Sequence, residues 1–266
     1  MGIIGQSIPV RDAAMKVTGQ FKYTADLEFP GMLHAKILFS PVPHARIKKI
    51  DTSRAEALEG VRGVVCYLNA PDTKYNSCGE EIDGHKTERV FDDTVRYVGD
   101  KVAAVAADTV KIAEQAVKLI QVEYEELPFY TDPGEALKEG AYPIHGESNI
   151  IFPVDMGAGD VEAGFKAADY IYEDIYSTPA IHHSAIETHA SIAVYESSGK
   201  LTVYTPSQDV FGYRKNLSRI FGLPMSRVRV VNPGMGGGFG GKIDTITEPV
   251  TALLAMKTGR PVKLVY

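Results

Sequence analysis

Alternating apolar and polar positions predict β-strands along most of the chain, because successive side chains on a strand point to opposite faces. Segment 101–107 is the most apolar of these runs, and segment 32–39 alternates regularly until Pro41 and Pro43 end it. Further strands are predicted at 61–68, 120–124, 170–177, 191–195, 201–205, 227–231 and from 260 to the chain end. The strands at 191–195 and 201–205 are joined by a polar turn and predict a hairpin.

Helical periodicity and helix end signals separate these strands. Helices are predicted at 53–58, 109–119, 135–138, 160–168, 209–221 and 245–258. The helix at 209–221 has a clear stop, since Gly222 follows it and Pro224 comes two residues later. Strand, helix, strand units of this kind pack in layers, so the pattern predicts the α+β fold class.

The segment between 128 and 157 is rich in Pro, Gly and acidic residues and predicts little regular structure. It is the best linker candidate, although a stretch of this length can also run across a neighbouring domain. We therefore expect a first domain at 1–128, a linker at 129–157 and a second domain at 158–266. The last predicted strand has barely formed at Tyr266, so we expect the chain to be a truncated or separately encoded part of a longer protein.

Composition excludes several classes of function. The 266 residues are 44% hydrophobic, which predicts a packed core, and the formal charge is −6 from 28 basic and 34 acidic side chains. There is no clustered basic run, so nucleic-acid binding has no electrostatic support. No apolar run approaches the roughly 18 residues of a membrane span, and the first residues lack a secretory pattern, so we expect a cytoplasmic protein.

Cysteine and histidine positions give no strong metal signal. Cys66 and Cys78 are too few and too isolated for a disulfide framework, an iron–sulfur cluster or a zinc site. His182, His183, Glu187 and His189 fall within eight residues, but the order of these residues does not match H-E-x-x-H. We expect these groups to hydrogen-bond around a buried loop, with a direct metal site as the alternative.

The unusual stretch of the chain is Asn-Pro-Gly-Met-Gly-Gly-Gly-Phe-Gly-Gly-Lys at 232–242. Residues without Cβ atoms can adopt positive φ and let backbone N–H groups approach a ligand closely. The stretch lies between a predicted strand and a predicted helix, an arrangement that directs N–H groups at an anion, usually a phosphate. Lys242 would add a positive charge to such a site.

Two phosphate-binding interpretations and one purely structural alternative compete for this loop. The Walker A spacing is present from Gly236 to Lys242, but Ile243 follows where a P-loop needs Ser or Thr for magnesium. The dinucleotide pattern fits Gly236, Gly238 and Gly241, but residues 255–266 contain no acid for a ribose. The remaining alternative is a flexible hinge, against which Phe239 and the flanking elements argue.

The loop sequence at 234–242 resembles that of the molybdenum-binding subunit of the xanthine dehydrogenase and aldehyde oxidase family. Ala-Ile-Glu-Thr-His at 185–189 and Thr-Pro-Ser-Gln at 205–208 are similar to further motifs of that family. Segments 9–26 and 40–46 resemble the family's opening and its S-x-x-P/A-H-A-R/K motif. Segment 95–103 resembles V-R-Y-V-G-Q-P-V-A, with Asp100 and Lys101 in place of Gln and Pro.

The resemblance implies an a/b-hammerhead domain followed by the first part of a molybdopterin-binding domain. The implied reaction is hydroxylation of a carbon in an N-heterocycle or an aldehyde, with water as the oxygen source. The implied cofactor is molybdenum-molybdopterin, with or without a cytosine nucleotide. FAD and 2Fe-2S clusters would lie on partner subunits of a heteromeric complex, together with the C-terminal remainder of the molybdopterin domain.

The resemblance also implies roles for particular residues. Cofactor contacts are expected from Gln208, Gly237, Gly238, Phe239, Gly240 and Gly241, and a substrate pocket from Ile243 and Glu187. Ile243 replaces the glutamate that binds purines in xanthine-oxidising members, and Ile181 replaces a glutamine on a molybdenum oxo ligand. The family's catalytic glutamate lies beyond Tyr266, so no catalytic residue is assigned and this part alone is expected to be inactive. A non-catalytic scaffold of the same fold is the remaining alternative.

Overall fold

The computed structural model describes residues 4–77, 86–150 and 153–266. The strands are β1 (Leu33–Phe39), β2 (Ala45–Asp51), β3 (Val61–Cys66), β4 (Thr94–Val95), β5 (Lys101–Ala107), β6 (Gln121–Glu126), β7 (Ala190–Tyr195), β8 (Leu201–Tyr204), β9 (Val228–Val231) and β10 (Val262–Val265). The helices are α1 (Ala13–Val17), α2 (Ser53–Glu56), α3 (Val110–Val117), α4 (Pro133–Ala136), α5 (Val161–Ala167), α6 (Val210–Phe221) and α7 (Glu248–Thr258). The predicted α+β class is confirmed.

A seven-stranded sheet in the order β3-β5-β1-β10-β7-β8-β9 forms the centre of the fold. A smaller sheet in the order β4-β2-β6 lies beside it. In the large sheet, β1 pairs in parallel with β10, so strands from both sides of the segment 128–157 share one hydrogen-bonded ladder. The predicted division of the chain at this segment stays a prediction.

The hydrophobic core lies between the large sheet and the helices α6 and α7. β5 is buried along its whole length, which explains why its sequence is apolar after Lys101. Leu254 of α7 and Leu217 of α6 are fully buried in the same cluster as Leu264 of β10. Burial of each such side chain contributes about 1.5–3 kcal/mol, so α7 is held mainly by packing.

Most predicted elements are present with shifted ends, and the prediction of one strand is wrong. The predicted strand at 170–177 is not formed, and Tyr172 is 97% exposed there. The sequence alternates as a strand does, but no neighbouring strand of the described chain pairs with it, and a strand needs a partner. The helix predicted from residue 245 begins at Glu248, since residues 243–247 connect it to the glycine-rich loop. Cys78, one of the two cysteines of the sequence, is outside the described residues.

Candidate functional site

The glycine-rich loop lies at one edge of the large sheet, where several strand ends meet. β8 and β9 are parallel, and β7 runs antiparallel to both β8 and β10. The carboxyl ends of β8, β9 and β10 therefore lie beside the amino end of β7. The loop follows β9, Gln208 follows β8, and Glu187 precedes β7, so the sheet brings the three predicted site segments together.

The loop adopts backbone conformations that explain its glycines. Gly237 and Gly240 have φ of 101° and 88°, in the region that favours residues without a Cβ atom. Phe239 also has a positive φ, 53°, and its side chain is 72% exposed. A non-glycine residue in this region costs free energy, and such strain is found most often at functional sites.

Gln208 supports the loop from the end of β8. Its Oε1 accepts hydrogen bonds from the N–H of Gly240 at 3.0 Å and of Lys242 at 3.2 Å. Two backbone donors fix the orientation of the amide, because only the oxygen can accept. Gly238 packs directly on this side chain, and a Cβ atom at Gly238 would lie 2.5 Å from Gln208 Oε1. The structure thus places Gln208 in contact with the loop.

Glu187 and Lys242 form a buried ion pair on the other side of the loop. Glu187 Oε2 lies 2.9 Å from Lys242 Nζ and accepts a hydrogen bond from Gly236 N–H at 2.7 Å. Lys242 Nζ also donates to the backbone carbonyl of Glu187 at 2.8 Å. The lysine side chain is 2% exposed and the glutamate 10%. Lys242 is therefore a structural cation and not the free charge that a phosphate-binding loop would use, which corrects our prediction for it.

The remaining loop N–H groups divide into two sets. Those of Gly236, Gly240 and Gly241 donate to protein acceptors, as does that of Gly234 to Asn232 Oδ1. Within the described part of the chain, four loop N–H groups have no acceptor: those of Met235, Gly237, Gly238 and Phe239. The loop thus presents a short run of unused donors, while its flanks are held by Glu187 and Gln208.

A cavity of about 190 Å³ lies against the loop and includes Gly238, Glu187 and Lys242 in its wall. His182, His183 and His189 also line it. Glu187 Oε1 is buried beside the cavity and has no hydrogen-bond partner in the described part of the chain. Ile243, predicted to line a substrate pocket with Glu187, is 38% exposed and is not part of this wall.

The histidines do not form a metal site with their neighbours. Among residues 4–77, 86–150 and 153–266, no group of three His, Cys, Asp or Glu side chains is placed to hold a metal ion. His182 Nδ1 instead accepts a hydrogen bond from Ser184 N–H at 3.0 Å. His189 is partly buried, and burial, followed by the Lys242 cation, lowers its pKa.

Cys66 is buried, and burial raises the pKa of its thiol.

Sequence reasoning missed two residues that hold the ends of the loop. Asn232 Nδ2 donates to the carbonyl of Ser207 at 2.8 Å, while its Oδ1 accepts from Gly234 N–H. The hydroxyl of Tyr213, on α6, lies 2.6 Å from the carbonyl oxygen of Asp244. Asn before Pro-Gly is a signal for a side chain that bonds to its own turn, but Tyr213 carries no such local signal.

Two family models match the chain. Residues 18–128 match the model described as aldehyde oxidase and xanthine dehydrogenase, a/b hammerhead domain, and residues 144–266 match the molybdopterin cofactor-binding domain. No helix in the described part of the chain is both long enough and apolar enough to cross a membrane.

Curated proteins and solved structures agree with these matches. The chain is 44% identical over 263 residues to a probable xanthine dehydrogenase subunit of Bacillus subtilis, covering 98% of this chain and 35% of that protein. It is 39% identical over 263 residues to the nicotinate dehydrogenase large molybdopterin subunit of Eubacterium barkeri, covering 99% of this chain and 61% of that protein. The quinoline 2-oxidoreductase of Pseudomonas putida superposes with a TM-score of 0.87 at 31% identity, covering 98% of this chain and 34% of that one. The chain thus spans between about a third and about three fifths of these proteins.

Proposed function

The chain belongs to the aldehyde oxidase and xanthine dehydrogenase family, and we propose that it forms the molybdopterin-binding part of a molybdenum hydroxylase. The observation that carries this proposal is the row of unused N–H groups at Met235, Gly237, Gly238 and Phe239. These donors lie within the segment that matches the molybdopterin cofactor-binding domain. A pterin with its phosphate and metal oxo groups offers many acceptors, so donors of this kind suit it.

Gly240 also leaves room for a bulky ligand at this position. At Gly240, the nearest atom that a Cβ would meet is His183 Nε2 at 3.8 Å, so the protein leaves space beside the backbone. We propose that Gly237, Gly238, Phe239, Gly240 and Gly241 line the cofactor. Gln208 keeps the loop in this shape and presents its amide nitrogen, whose hydrogens have no acceptor in the described chain.

When bound, the cofactor supplies the redox chemistry that inserts an oxygen atom from water into a carbon–hydrogen bond. The residues of this chain would hold the cofactor in place. Glu187 fixes the loop at Gly236 and at the Lys242 side chain, and Gln208 fixes it at the N–H groups of Gly240 and Lys242. We assign no general base within residues 1–266; the family's catalytic glutamate is expected beyond them.

The substrate is proposed to be an N-heterocycle or an aldehyde. Related proteins are described as nicotinate dehydrogenase and as quinoline 2-oxidoreductase, whose names refer to N-heterocycles. Ile243 and Glu187 are proposed to lie near the substrate, with Ile243 exposed beside the loop and Glu187 buried below it. An apolar Ile243 favours substrates other than purines at that position.

The proposed assembly is heteromeric and cytoplasmic. Its proposed partners are the C-terminal remainder of the molybdopterin domain, an FAD-binding subunit and a 2Fe-2S subunit. The proposed cofactor is molybdenum-molybdopterin, in its cytosine dinucleotide form or without the nucleotide. The description of one relative as a large molybdopterin subunit supports a division of the enzyme into several chains.

The alternative of a P-loop nucleotide-binding protein is weakened by two observations. Ile243 stands where a magnesium-binding Ser or Thr is needed, and Lys242 is buried in an ion pair. A scaffold with the same fold but no cofactor is the other alternative. The same loop would then keep its shape without a bound metal.

Elemental analysis of the native complex tests the proposal. The complex is purified from its source, molybdenum is measured, and the intact mass of the subunit that contains this sequence is determined. We expect about one molybdenum per subunit, and turnover when N-heterocycles and aldehydes are screened. A complex without molybdenum would overturn the proposal in favour of the scaffold.

A further inference from the structure

Glu248 is a buried carboxyl group that the proposed chemistry does not use. It is the first residue of α7 and follows the glycine-rich loop by six residues. Only 2% of its surface is exposed. Among the described residues, no Lys, Arg or His forms an ion pair with it. An ionised carboxylate without a cation is very costly at such a position.

The hydrogen-bond contacts of Thr205 indicate whether Glu248 carries a proton. Its hydroxyl Oγ1 lies 3.1 Å from the backbone carbonyl of Ala190 and 2.5 Å from Glu248 Oε1. A carbonyl oxygen can only accept, and a threonine hydroxyl has one proton to donate. Both contacts are hydrogen bonds only if a second proton is present, and that proton must be on Glu248.

The other carboxyl oxygen is consistent with the same assignment. Glu248 Oε2 accepts a hydrogen bond from Ile246 N–H at 2.9 Å. A neutral acid therefore donates through Oε1 to Thr205, accepts through Oε2 from Ile246, and leaves Thr205 free to donate to Ala190. All of these groups are then satisfied without any buried charge.

The surroundings add no charge of their own. Three tyrosines interact electrostatically with Glu248 from neighbouring elements: Tyr75 before β4, Tyr213 on α6 and Tyr266 after β10. Burial raises the pKa of each, so all three are neutral at physiological pH. Burial likewise raises the pKa of Glu248.

We infer that Glu248 is a neutral carboxylic acid that serves as a positioning residue for the segment between the glycine-rich loop and α7. Its proton is donated to the hydroxyl of Thr205, after β8, and that hydroxyl donates its own proton to the carbonyl of Ala190, at the start of β7. Its second oxygen holds Ile246 in the segment that leaves the loop. The inference does not depend on which cofactor or substrate the loop binds.

Glu248→Gln is the decisive variant, because an amide reproduces every hydrogen bond of a neutral acid but not those of a carboxylate. Its NH₂ group donates to Thr205, and its oxygen accepts from Ile246. We expect the Gln variant of the full chain to melt at the same temperature as the unchanged chain or higher at pH 7. Unfolding of the unchanged chain is expected to release about one proton more than unfolding of the variant, since the exposed carboxyl ionises in water.

Infrared spectroscopy of the unchanged folded chain gives a second measurement. A carbonyl stretching band of a protonated carboxylic acid is expected at neutral pH and should be missing from Glu248→Gln. Thr205→Ser keeps the hydroxyl and should keep the band. Equal proton release from both chains, or the absence of such a band, would overturn the inference. A Gln variant that fails to fold would also contradict it, because the neutral isostere should be tolerated.

Discussion

Lys242 Nζ lies 2.9 Å from Glu187 Oε2, and the same oxygen accepts the N–H of Gly236 at 2.7 Å. One carboxylate thus holds both the beginning and the end of the glycine-rich loop, across 55 residues of sequence. The pair is buried, so the loop is fixed by charges that have been removed from water. A pair of this kind confers a defined geometry, and removing one partner is much more costly than removing both.

Lys242→Met is predicted to destabilise the chain strongly, because it leaves the Glu187 carboxylate buried without a cation. The expected loss is about 3–5 kcal/mol in the free energy of unfolding, measured by denaturant titration. The double variant Lys242→Met with Glu187→Gln should recover part of this loss. A double variant that loses as much as the two single variants Lys242→Met and Glu187→Gln together would show that the pair is not coupled.

Gly238→Ala is predicted to be more destabilising than Gly240→Ala. A Cβ atom at Gly238 would lie 2.5 Å from Gln208 Oε1 and 2.7 Å from Gln208 Cδ. The Gln208 amide must then move away and lose its hydrogen bonds from the N–H groups of Gly240 and Lys242. At Gly240 nothing lies closer than 3.8 Å, and the cost is the positive φ alone, about 1–2 kcal/mol.

A double-mutant cycle checks the cause of this difference. Truncation of Gln208 to Ala removes the two atoms closest to the new methyl group and leaves only Met235 Sδ, at 2.9 Å, so Gly238→Ala should cost less in that background. Gly240→Ala, the matched control, should cost about the same in both backgrounds. Strictly additive losses for Gly238→Ala and Gln208→Ala would contradict the predicted collision.

Local patterns predicted most of the strands and helices, because each depends on nearby residues, but they did not predict β2, β4 or α1. The apolar run of β5 and the Gly222 end of α6 are examples of such local patterns. The partner of Lys242 could not be predicted, because the spacing of Glu187 and Lys242 in sequence says nothing about their distance across a sheet edge. The prediction of a strand at 170–177 was wrong for a related reason. Alternation predicts a strand, but it does not show whether another strand pairs with it.

His189 is predicted to reduce stability on the acid side of neutrality. Burial and the Lys242 cation lower its pKa, so the folded chain favours the neutral imidazole. The stability that neutral His189 adds to the free energy of unfolding is complete above the ordinary histidine pKa of about 6.5. It is lost as the pH falls below that value. Between pH 7.5 and 5.5 the unchanged chain should lose more stability than His189→Gln. Parallel stability curves for the two chains would contradict this assignment.

Ile243→Glu is predicted to widen the substrate range towards purines. Ile243 is 38% exposed beside the loop, so a carboxylate there stays solvated in the free protein and should not disturb folding. In the native complex we expect a gain in xanthine turnover, with Ile243→Gln as a control of similar size. Absence of any gain, with molybdenum content unchanged, would show that position 243 does not line the substrate pocket.

Gln208 is predicted to have two separable roles, which Gln208→Glu and Gln208→Leu distinguish. Glutamate keeps an oxygen for the N–H groups of Gly240 and Lys242, whereas leucine removes both hydrogen bonds, each worth about 0.5–1.5 kcal/mol. The Glu variant should therefore unfold like the unchanged chain. If the amide nitrogen contacts the cofactor, the Glu variant of the native complex should nevertheless lose molybdenum, because it replaces a donor by a negative charge. A Glu variant with full stability and full molybdenum content would limit Gln208 to support of the loop.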